Sequence, residues 1–234
     1  NLFDFTTNKL NLTKGPIFTD LLLADEINRK QPKTQAALLQ AMVERSVTID
    51  GTTYDLGHGF MVIATQNPIE LEGTYPLPEA QLDRFLMQID VGYPDLDAER
   101  RMLLATTGSE EVKVVPVLNA AELIEAQKLL RQIPVGETVL EAILEIVRSG
   151  RLETTKVDEV KRHVAWGPGP RASQALMLAV RARAILDGRL SPSVEDVLDL
   201  APPVMRHRMA LNFAARAEGV SLDDIIQRLL APYR

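Results

Sequence analysis

The chain has 234 residues, enough for one large domain or two small ones, and its 46% hydrophobic and 25% charged residues are typical of a soluble globular protein. Its 26 Lys and Arg against 32 Asp and Glu give a net charge of −6, which argues against general electrostatic binding to nucleic acid or anionic membranes. It has no cysteine, which excludes disulfides and thiolate metal sites and suits a cytoplasmic protein, and no stretch approaches the ~20 apolar residues of a membrane span.

The first strong pattern is an apolar run that ends on two carboxylates. Leu21–Ala24 predicts a fully buried strand of a parallel sheet, and Asp25 and Glu26 follow it. Because side chains alternate along a strand, we expect these two acids to point in different directions. Ligands of open α/β sheets bind at the carboxyl ends of strands, where one acid can hold Mg²⁺ and its neighbour can orient a water. Taken alone, such a pair more often caps a helix or faces solvent.

Strands and helices alternate as far as residue 107, and the rest of the chain reads as helices. The pattern predicts a helix over 31–45, a hairpin of 47–49 and 52–54 about Asp50-Gly51, a strand over 60–64, a short helix over 79–85, a strand over 87–91 and a helix over 95–106. After a boundary at 108–116, it predicts helices over 119–131, 139–148 and 171–187, and two more opened by Ser191-Pro192 and Ser221. We therefore predict an α/β fold, with a helix-flanked parallel sheet over 1–107 and an all-α domain over 108–234.

Three further side chains are candidates for a phosphate site. Asn67 follows the second buried strand, where a neutral amide can bond a phosphate oxygen or a water, although Asn-Pro is also a common turn. Arg84 ends the short helix, and a lone arginine is usually solvated. Arg171 opens a helix after a Gly-Pro turn, where the helix dipole disfavours a cation unless an anion is its partner.

Together these segments resemble the MoxR family of AAA+ ATPases. The resemblance rests on LLLADEINR at 21–29, ATQNP at 64–68, ELEGTYPLPEAQLDRF at 70–85 and GPRA at 169–172, and it spans nearly the whole chain. It implies a partial AAA+ P-loop core over 1–107 and a helical lid over 108–234. It also matches 47–54 to the hairpin before sensor 1, and 1–14 to the tail of an insertion before Walker B.

The resemblance also implies a role for each candidate residue. Asp25 and Glu26 match the Walker B pair, with Asp25 on Mg²⁺ and Glu26 polarising the attacking water. Asn67 matches sensor 1. Arg84 matches the arginine finger that reaches the γ-phosphate of a neighbouring subunit, and Arg171 matches sensor 2. The implied cofactors are ATP and Mg²⁺.

For the intact protein, the resemblance implies a homo-oligomer, a hexameric ring without a membrane or nucleic-acid role. The ring would remodel or mature protein clients, von Willebrand A domain proteins among them. The family's phosphate cradle, G-x-x-x-x-G-K-[ST], does not occur in this sequence. We expect that the amino-terminal part of the core is absent from this chain, and that the chain alone binds ATP poorly and is inactive.

Two other functions remain open. The same clade includes nucleic-acid motors, but the hairpin tip at 49–55 carries two acids and no Lys or Arg, which disfavours phosphate contact. A nucleotide-free scaffold is the second alternative, and the intact Glu26, Asn67 and Arg84 argue against it. We also expect the 202–212 stretch, which includes Arg206, His207 and Arg208, to contact an adjoining subunit. None of the three histidines has the spacing of metal ligands.

Overall fold

The computed structural model describes residues 2–4, 9–11, 14–67, 73–108 and 114–234. Contacts group the chain into two compact units, one of Asn1–Arg84 with Ala120–Ala126 and one of Phe85–Asn119 with Gln127–Arg234. The contacts thus divide the chain earlier than the domain boundary predicted after residue 107, which stays a prediction. Some predicted features lie partly outside the described residues. They are the boundary region (at 109–113), the 64–68 and 70–85 motifs (at 68–72) and the 1–14 insertion tail.

The first unit contains three strand pairs, two whole helices and the first half of a third helix (120–126) among the described residues. Its elements are β1 (Leu2–Asp4), β2 (Lys9–Asn11), β3 (Leu21–Ala24), α1 (Pro32–Glu44), β4 (Ser46–Ile49), β5 (Thr52–Asp55), β6 (Met61–Ala64) and α2 (Glu79–Leu82). β1 pairs with β2 and β4 with β5, both antiparallel, while β3 and β6 are parallel. The predicted hairpin is confirmed: Asp50 and Gly51 have φ of 50° and 80°, as a two-residue hairpin turn of the primed type requires.

The parallel pair β3–β6 confirms the predicted sheet direction but not the predicted burial. Leu21 lies opposite Met61 and Leu23 opposite Ile63, so these four side chains share one face of the pair. They are between 45% and 63% exposed. The prediction of fully buried strands is therefore wrong for the described residues, because no described element covers this face.

The second unit is helical, as predicted, with one small strand pair that the sequence pattern did not predict. Its elements are α3 (Leu96–Thr107), the second half of α4 (Ala120–Gln132), α5 (Glu137–Ser149), α6 (Asp158–His163), β7 (Val164–Trp166), α7 (Pro170–Leu186), α8 (Val194–Met205), β8 (Ala210–Leu211), α9 (Phe213–Ala217) and α10 (Leu222–Leu230). β7 and β8 pair antiparallel. The described residues also contain single 3₁₀ turns, at Ile27–Arg29 in the first unit and at Arg206–Arg208 and Ala231–Tyr233 in the second.

The core of the second unit lies between α5, α7, α8 and α10. Ile146, Leu176, Val204 and Ile226, one from each helix, are fully buried. Burying a side chain of this size contributes roughly 1.5–3 kcal/mol relative to leaving it exposed, so these four helices form the stable part of the unit. No helix in the described part of the chain is long and apolar enough to cross a membrane.

The strand predicted over 87–91 is absent, because its backbone bonds to a distant segment instead of a sheet. Phe85 O accepts hydrogen bonds from Arg208 Nη2 and from His207 Nε2 (3.1 Å), and Leu86 O accepts from Arg208 Nη1 (3.2 Å). Gln88 N donates to Pro203 O at 2.8 Å. These bonds explain why the contacts place Phe85 and the residues after it in the second unit.

The side chains of residues 206–208, within the 202–212 stretch, are buried or paired within the second unit. Arg208 is 2% exposed and His207 is buried, so these two side chains are not available to an adjoining subunit. A contact through the rest of 202–212 stays a prediction. Arg206 pairs with Asp90 (2.6 Å) and Asp223 (2.8 Å) within the unit.

The start of α8 is fixed by a charged hydrogen-bond network rather than by the predicted Ser191-Pro192. Ser193 is the N-cap, and its backbone N–H donates to Asp196 Oδ2 at 2.8 Å while its hydroxyl accepts from Asp196 N. Arg189 holds the same carboxylate through Nη1 at 2.7 Å and Nη2 at 2.6 Å. Asp196 is buried, and the hydrogen bonds from Arg189 lower its pKa against the opposing effect of burial.

We expect Asp196→Asn to lower the free energy of unfolding by about 2 kcal/mol at neutral pH, because a charge-assisted pair is lost. A carboxyl with a lowered folded-state pKa stabilises the fold above its unfolded pKa, and this stabilisation is lost as pH falls through the folded pKa. The difference between wild type and variant should therefore shrink below about pH 4. Urea unfolding of both proteins at several pH values measures this difference in the free energy of unfolding. Asp199→Asn, exposed on the same helix, is the matched control, and an equal loss there would contradict the assignment.

Candidate functional site

The predicted acidic and amide residues meet at one end of the parallel pair. The register of β3 and β6 ends with Ala24 opposite Ala64, so Asp25 and Glu26 emerge beside Thr65 and Asn67. Backbone bonds extend the pairing beyond the strands: Thr65 N donates to Ala24 O at 3.1 Å, and Ile27 N donates to Thr65 O at 3.0 Å. The carboxyl ends of these strands therefore hold two acids, a hydroxyl and an amide within two adjacent turns.

Thr65 is the residue that joins the two turns. Its hydroxyl donates to Asp25 Oδ1 at 2.5 Å and accepts from the backbone N–H of Glu26 at 2.9 Å. One oxygen of Asp25 is thus oriented by a protein donor, and the exposed carboxylate keeps its second oxygen for another ligand. The sequence interpretation did not include Thr65. Extending the parallel register by one position, from Ala24–Ala64 to Asp25–Thr65, would have identified it.

Glu26 does not continue the strand. Its φ of 49° and ψ of 55° are left-handed, an arrangement that costs a residue other than glycine roughly 1–2 kcal/mol. The chain turns there, so strand alternation does not orient the Glu26 side chain, and the expectation that the two acids point in different directions stays a prediction. The Glu26 carboxylate lies 3.3 Å from Arg29 Nε, with both side chains more than one third exposed. Such an exposed pair contributes at most about 1 kcal/mol and leaves Glu26 open to solvent.

Asn67 is held from the same turn. Asn28 Nδ2 donates to Asn67 O at 3.2 Å, and Asn67 itself is partly buried. The turn after β3 therefore fixes the backbone at the end of the second strand, and Asn67 lies at the edge that carries Asp25 and Glu26. This is the placement that the sequence pattern predicts for an amide that bonds a phosphate oxygen or a water.

Arg84 comes just after α2. The helix is short, with Pro78 as its N-cap residue, and Arg84 N donates to Gln81 O at 3.2 Å. The Arg84 side chain is exposed. An exposed guanidinium at the end of a rigid turn is available to an anion outside its own unit.

Arg171 belongs to the second unit, where it is the second residue of α7, which begins one residue before the predicted start. The loop before it packs tightly on another loop. A Cβ at Gly167 would lie 2.3 Å from Gly150 O, and Arg151 Nε donates to Pro168 O at 2.8 Å. This close approach requires glycine, so the Gly-Pro motif fixes the backbone from which Arg171 projects into solvent.

The residues present fit a magnesium ion that arrives with a nucleotide. Among the described residues, no group of three or more His, Asp or Glu side chains is arranged to hold a metal by itself. Mg²⁺ does not need such a cage, because it keeps several waters and binds through one or two carboxylates plus substrate phosphates. The exposed Asp25 carboxylate, oriented by Thr65, meets that requirement.

Comparison with known proteins agrees with this geometry. Residues 1–87 match the family of ATPases associated with various cellular activities (AAA), and residues 158–229 match the AAA lid domain. The chain is 40% identical over 232 residues to the uncharacterized protein YeaC of Bacillus subtilis (99% of this chain, 70% of YeaC). It is also 40% identical over 217 residues to Chaperone MoxR1 of Mycobacterium tuberculosis (92% of this chain, 57% of MoxR1).

A solved structure gives the same result at the level of the fold. The crystal structure of a Cytophaga hutchinsonii protein assigned as an ATPase superposes with a TM-score of 0.91 and 34% sequence identity. The superposition covers 98% of this chain and 70% of that one. The chain thus spans 57% to 70% of the length of these relatives.

The matches to the AAA family and to its lid domain show that the chain is an AAA+ ATPase by family, and the parallel strand pair that ends in two acids and an amide agrees with this class. Within this class, the chain belongs to the MoxR family.

Proposed function

We propose that the full-length protein forms a homo-oligomeric ring, most simply a hexamer, and hydrolyses ATP at the interfaces between neighbouring protomers (the seams). It uses the reaction to remodel or mature other proteins. The observation that carries this proposal is the meeting of Asp25, Glu26 and Asn67 at one end of β3 and β6. The name of the MoxR1 relative, a chaperone, supports protein clients. Clients with von Willebrand A domains and a cytoplasmic location, which the lack of cysteine suits, are part of the proposal.

Each residue has a task in this proposal. Asp25, oriented by Thr65, would hold Mg²⁺, which neutralises charge on the β- and γ-phosphates when it is bound. Glu26 accepts the proton of the attacking water, and Asn67 orients that water or a phosphate oxygen. Arg84 is exposed and reaches the γ-phosphate bound by the next protomer, while Arg171 contacts phosphate from the lid.

The hairpin β4–β5 favours protein clients over nucleic acid. Its turn presents Asp50, and Asp55 lies exposed at the end of β5. Neither acid suits contact with a phosphate backbone. A nucleotide-free scaffold is the other reading, and it predicts that the full-length protein does not turn over ATP at all.

A complementation experiment tests the seam directly. We expect full-length Glu26→Gln and Arg84→Ala variants to be inactive separately, and equal mixtures, after subunit exchange, to recover up to about a quarter of wild-type ATP turnover. The reason is that a protomer with intact Glu26 then sits beside one with intact Arg84 at about one seam in four. Native mass spectrometry checks that mixed rings form. Mixed rings without recovered turnover would contradict an arginine contributed by a neighbour.

A further inference from the structure

A buried glutamine connects the turn that carries Glu26 to the segment that leads to Arg84. Gln35, on α1, is only 4% exposed. Its amide Nε2 donates two hydrogen bonds, to Ile27 O at 3.0 Å and to Tyr75 O at 2.8 Å. A buried amide without partners would cost a few kcal/mol, so this side chain is stable in the core only while both carbonyls stay in place.

The segment at Tyr75 is tied to the catalytic turn through its backbone. Besides the bond from Gln35, Tyr75 N donates to Asn28 O at 2.6 Å. The Tyr75 side chain is 46% exposed, so side-chain packing does not fix this position. The buried Leu77 and then α2 follow, and Arg84 comes directly after that helix. The location of Tyr75 therefore sets where the short segment carrying Arg84 begins.

The two ends of the glutamine bridge differ in how much they depend on it. Ile27 is 1% exposed, its N–H donates to Thr65 O, and its carbonyl also accepts from Lys30 N at 3.1 Å. Ile27 thus keeps its place without Gln35. Tyr75 has fewer other bonds: among the described residues its carbonyl accepts from Gln35 alone, so without the amide it keeps one backbone hydrogen bond, from its N–H to Asn28 O, where Ile27 keeps two. Removing the amide should release the Tyr75 segment more than the turn that carries Glu26.

We propose that Gln35 is a positioning residue for Arg84. It acts in the protomer that contributes Arg84 to a neighbour's ATP site (the arginine-lending protomer), and not in the protomer that hydrolyses that ATP. This inference rests on the proposed function, in which Arg84 works across a seam. Gln35 also joins, through two hydrogen bonds, the catalytic turn of one protomer to the segment that leads to the arginine acting on the next. A displacement of about 1 Å at a reacting group can lower a rate by 10²-fold, so a loosened Tyr75 segment has a measurable effect.

The test places Gln35→Met on one side of the seam at a time. In mixtures of full-length Glu26→Gln and Arg84→Ala protomers, the first lends the arginine and the second hydrolyses ATP. Adding Gln35→Met to the Glu26→Gln protomer should lower the recovered turnover at least about tenfold. Adding it to the Arg84→Ala protomer should change turnover and the KM for ATP by less than about threefold. Gln40→Met, an exposed glutamine on the same helix that bonds Glu44, is the matched control on both sides.

The outcomes separate this inference from the proposed function. The inference is overturned if the recovered ATP turnover is unchanged by Gln35→Met in the arginine-lending protomer. It is also overturned if Gln35→Met lowers turnover equally in either protomer, which a merely structural role would give. If the parent mixture without Gln35→Met shows no recovery, the seam itself is refuted. Gln35→Leu is measured in parallel and judged by the same rule, so the result does not depend on how one replacement packs. Activity with the variant in the hydrolysing protomer shows that the variant folds and assembles.

Discussion

Glu26→Gln is expected to lower ATP turnover by the full-length protein by about 10²- to 10⁴-fold, the range for losing a positioned general base. Glutamine has nearly the same shape, but its neutral amide accepts a proton far more weakly than a carboxylate does. The fold should be unaffected, because the Glu26 side chain is 36% exposed and its ion pair with Arg29 contributes little. ATP should still bind, since Asp25, Thr65 and Asn67 remain.

Turnover and retained ATP are both measured, because their combination is diagnostic. A variant that keeps ATP and does not split it has lost the chemical step alone. Glu44→Gln is the matched control, since Glu44 is an exposed carboxylate at the end of α1 that pairs with Gln40. Turnover within about threefold of wild type in Glu26→Gln would remove Glu26 from its role as base.

The local sequence predicts which site residues lie at the ends of strands and at the start of a helix. Asp25, Glu26 and Asn67 each follow an apolar run, and those runs do form parallel strands. The helix predicted to start at Arg171 begins one residue earlier, with Pro170 at its first position. These predictions succeed because strand ends and helix starts have short-range signals.

The way the site is held together depends on long-range register, which no short pattern contains. Thr65 bonds Asp25 only because β3 and β6 pair in one specific register. The left-handed turn at Glu26 is likewise over-determined by those bonds, since a glutamate has no intrinsic preference for it. Gln35 is similar: an amide in a helix predicts a solvated face, and its burial follows from two carbonyls distant in sequence.

The same cause explains the two clearest failures in the second unit. The run at 87–91 has the composition of a strand, but the nearby carbonyls of Phe85 and Leu86 are satisfied by Arg208. The expected subunit contact requires the Arg-His-Arg run at 206–208 to be accessible, yet Arg208 is among the most buried side chains, because Phe85, Leu86 and Val204 supply carbonyl oxygens for its guanidinium. Local charge predicts exposure only where the fold offers no such partners.

Arg84→Ala is expected to lower kcat for ATP hydrolysis by about 10³-fold or more, the typical loss when an arginine finger is removed. In each ring site this guanidinium would come from the neighbouring protomer and act on charge that develops in the transition state. The KM for ATP should therefore stay within about threefold, because ground-state binding uses other groups. Arg101→Ala, at an exposed position on α3, is the matched control and should leave kcat unchanged.

Arg84→Lys distinguishes a finger from a simple counter-charge. Lysine keeps the positive charge but loses the planar fork that donates two parallel hydrogen bonds to phosphate oxygens. If Arg84 is exposed in order to bind the γ-phosphate of the next protomer in this way, Arg84→Lys should recover at most about one tenth of the lost rate. Full recovery by lysine would assign Arg84 to general electrostatics at the seam. A raised KM with unchanged kcat would instead place Arg84 in ATP binding, because an interaction made equally in the ground and transition states changes affinity and not the chemical step.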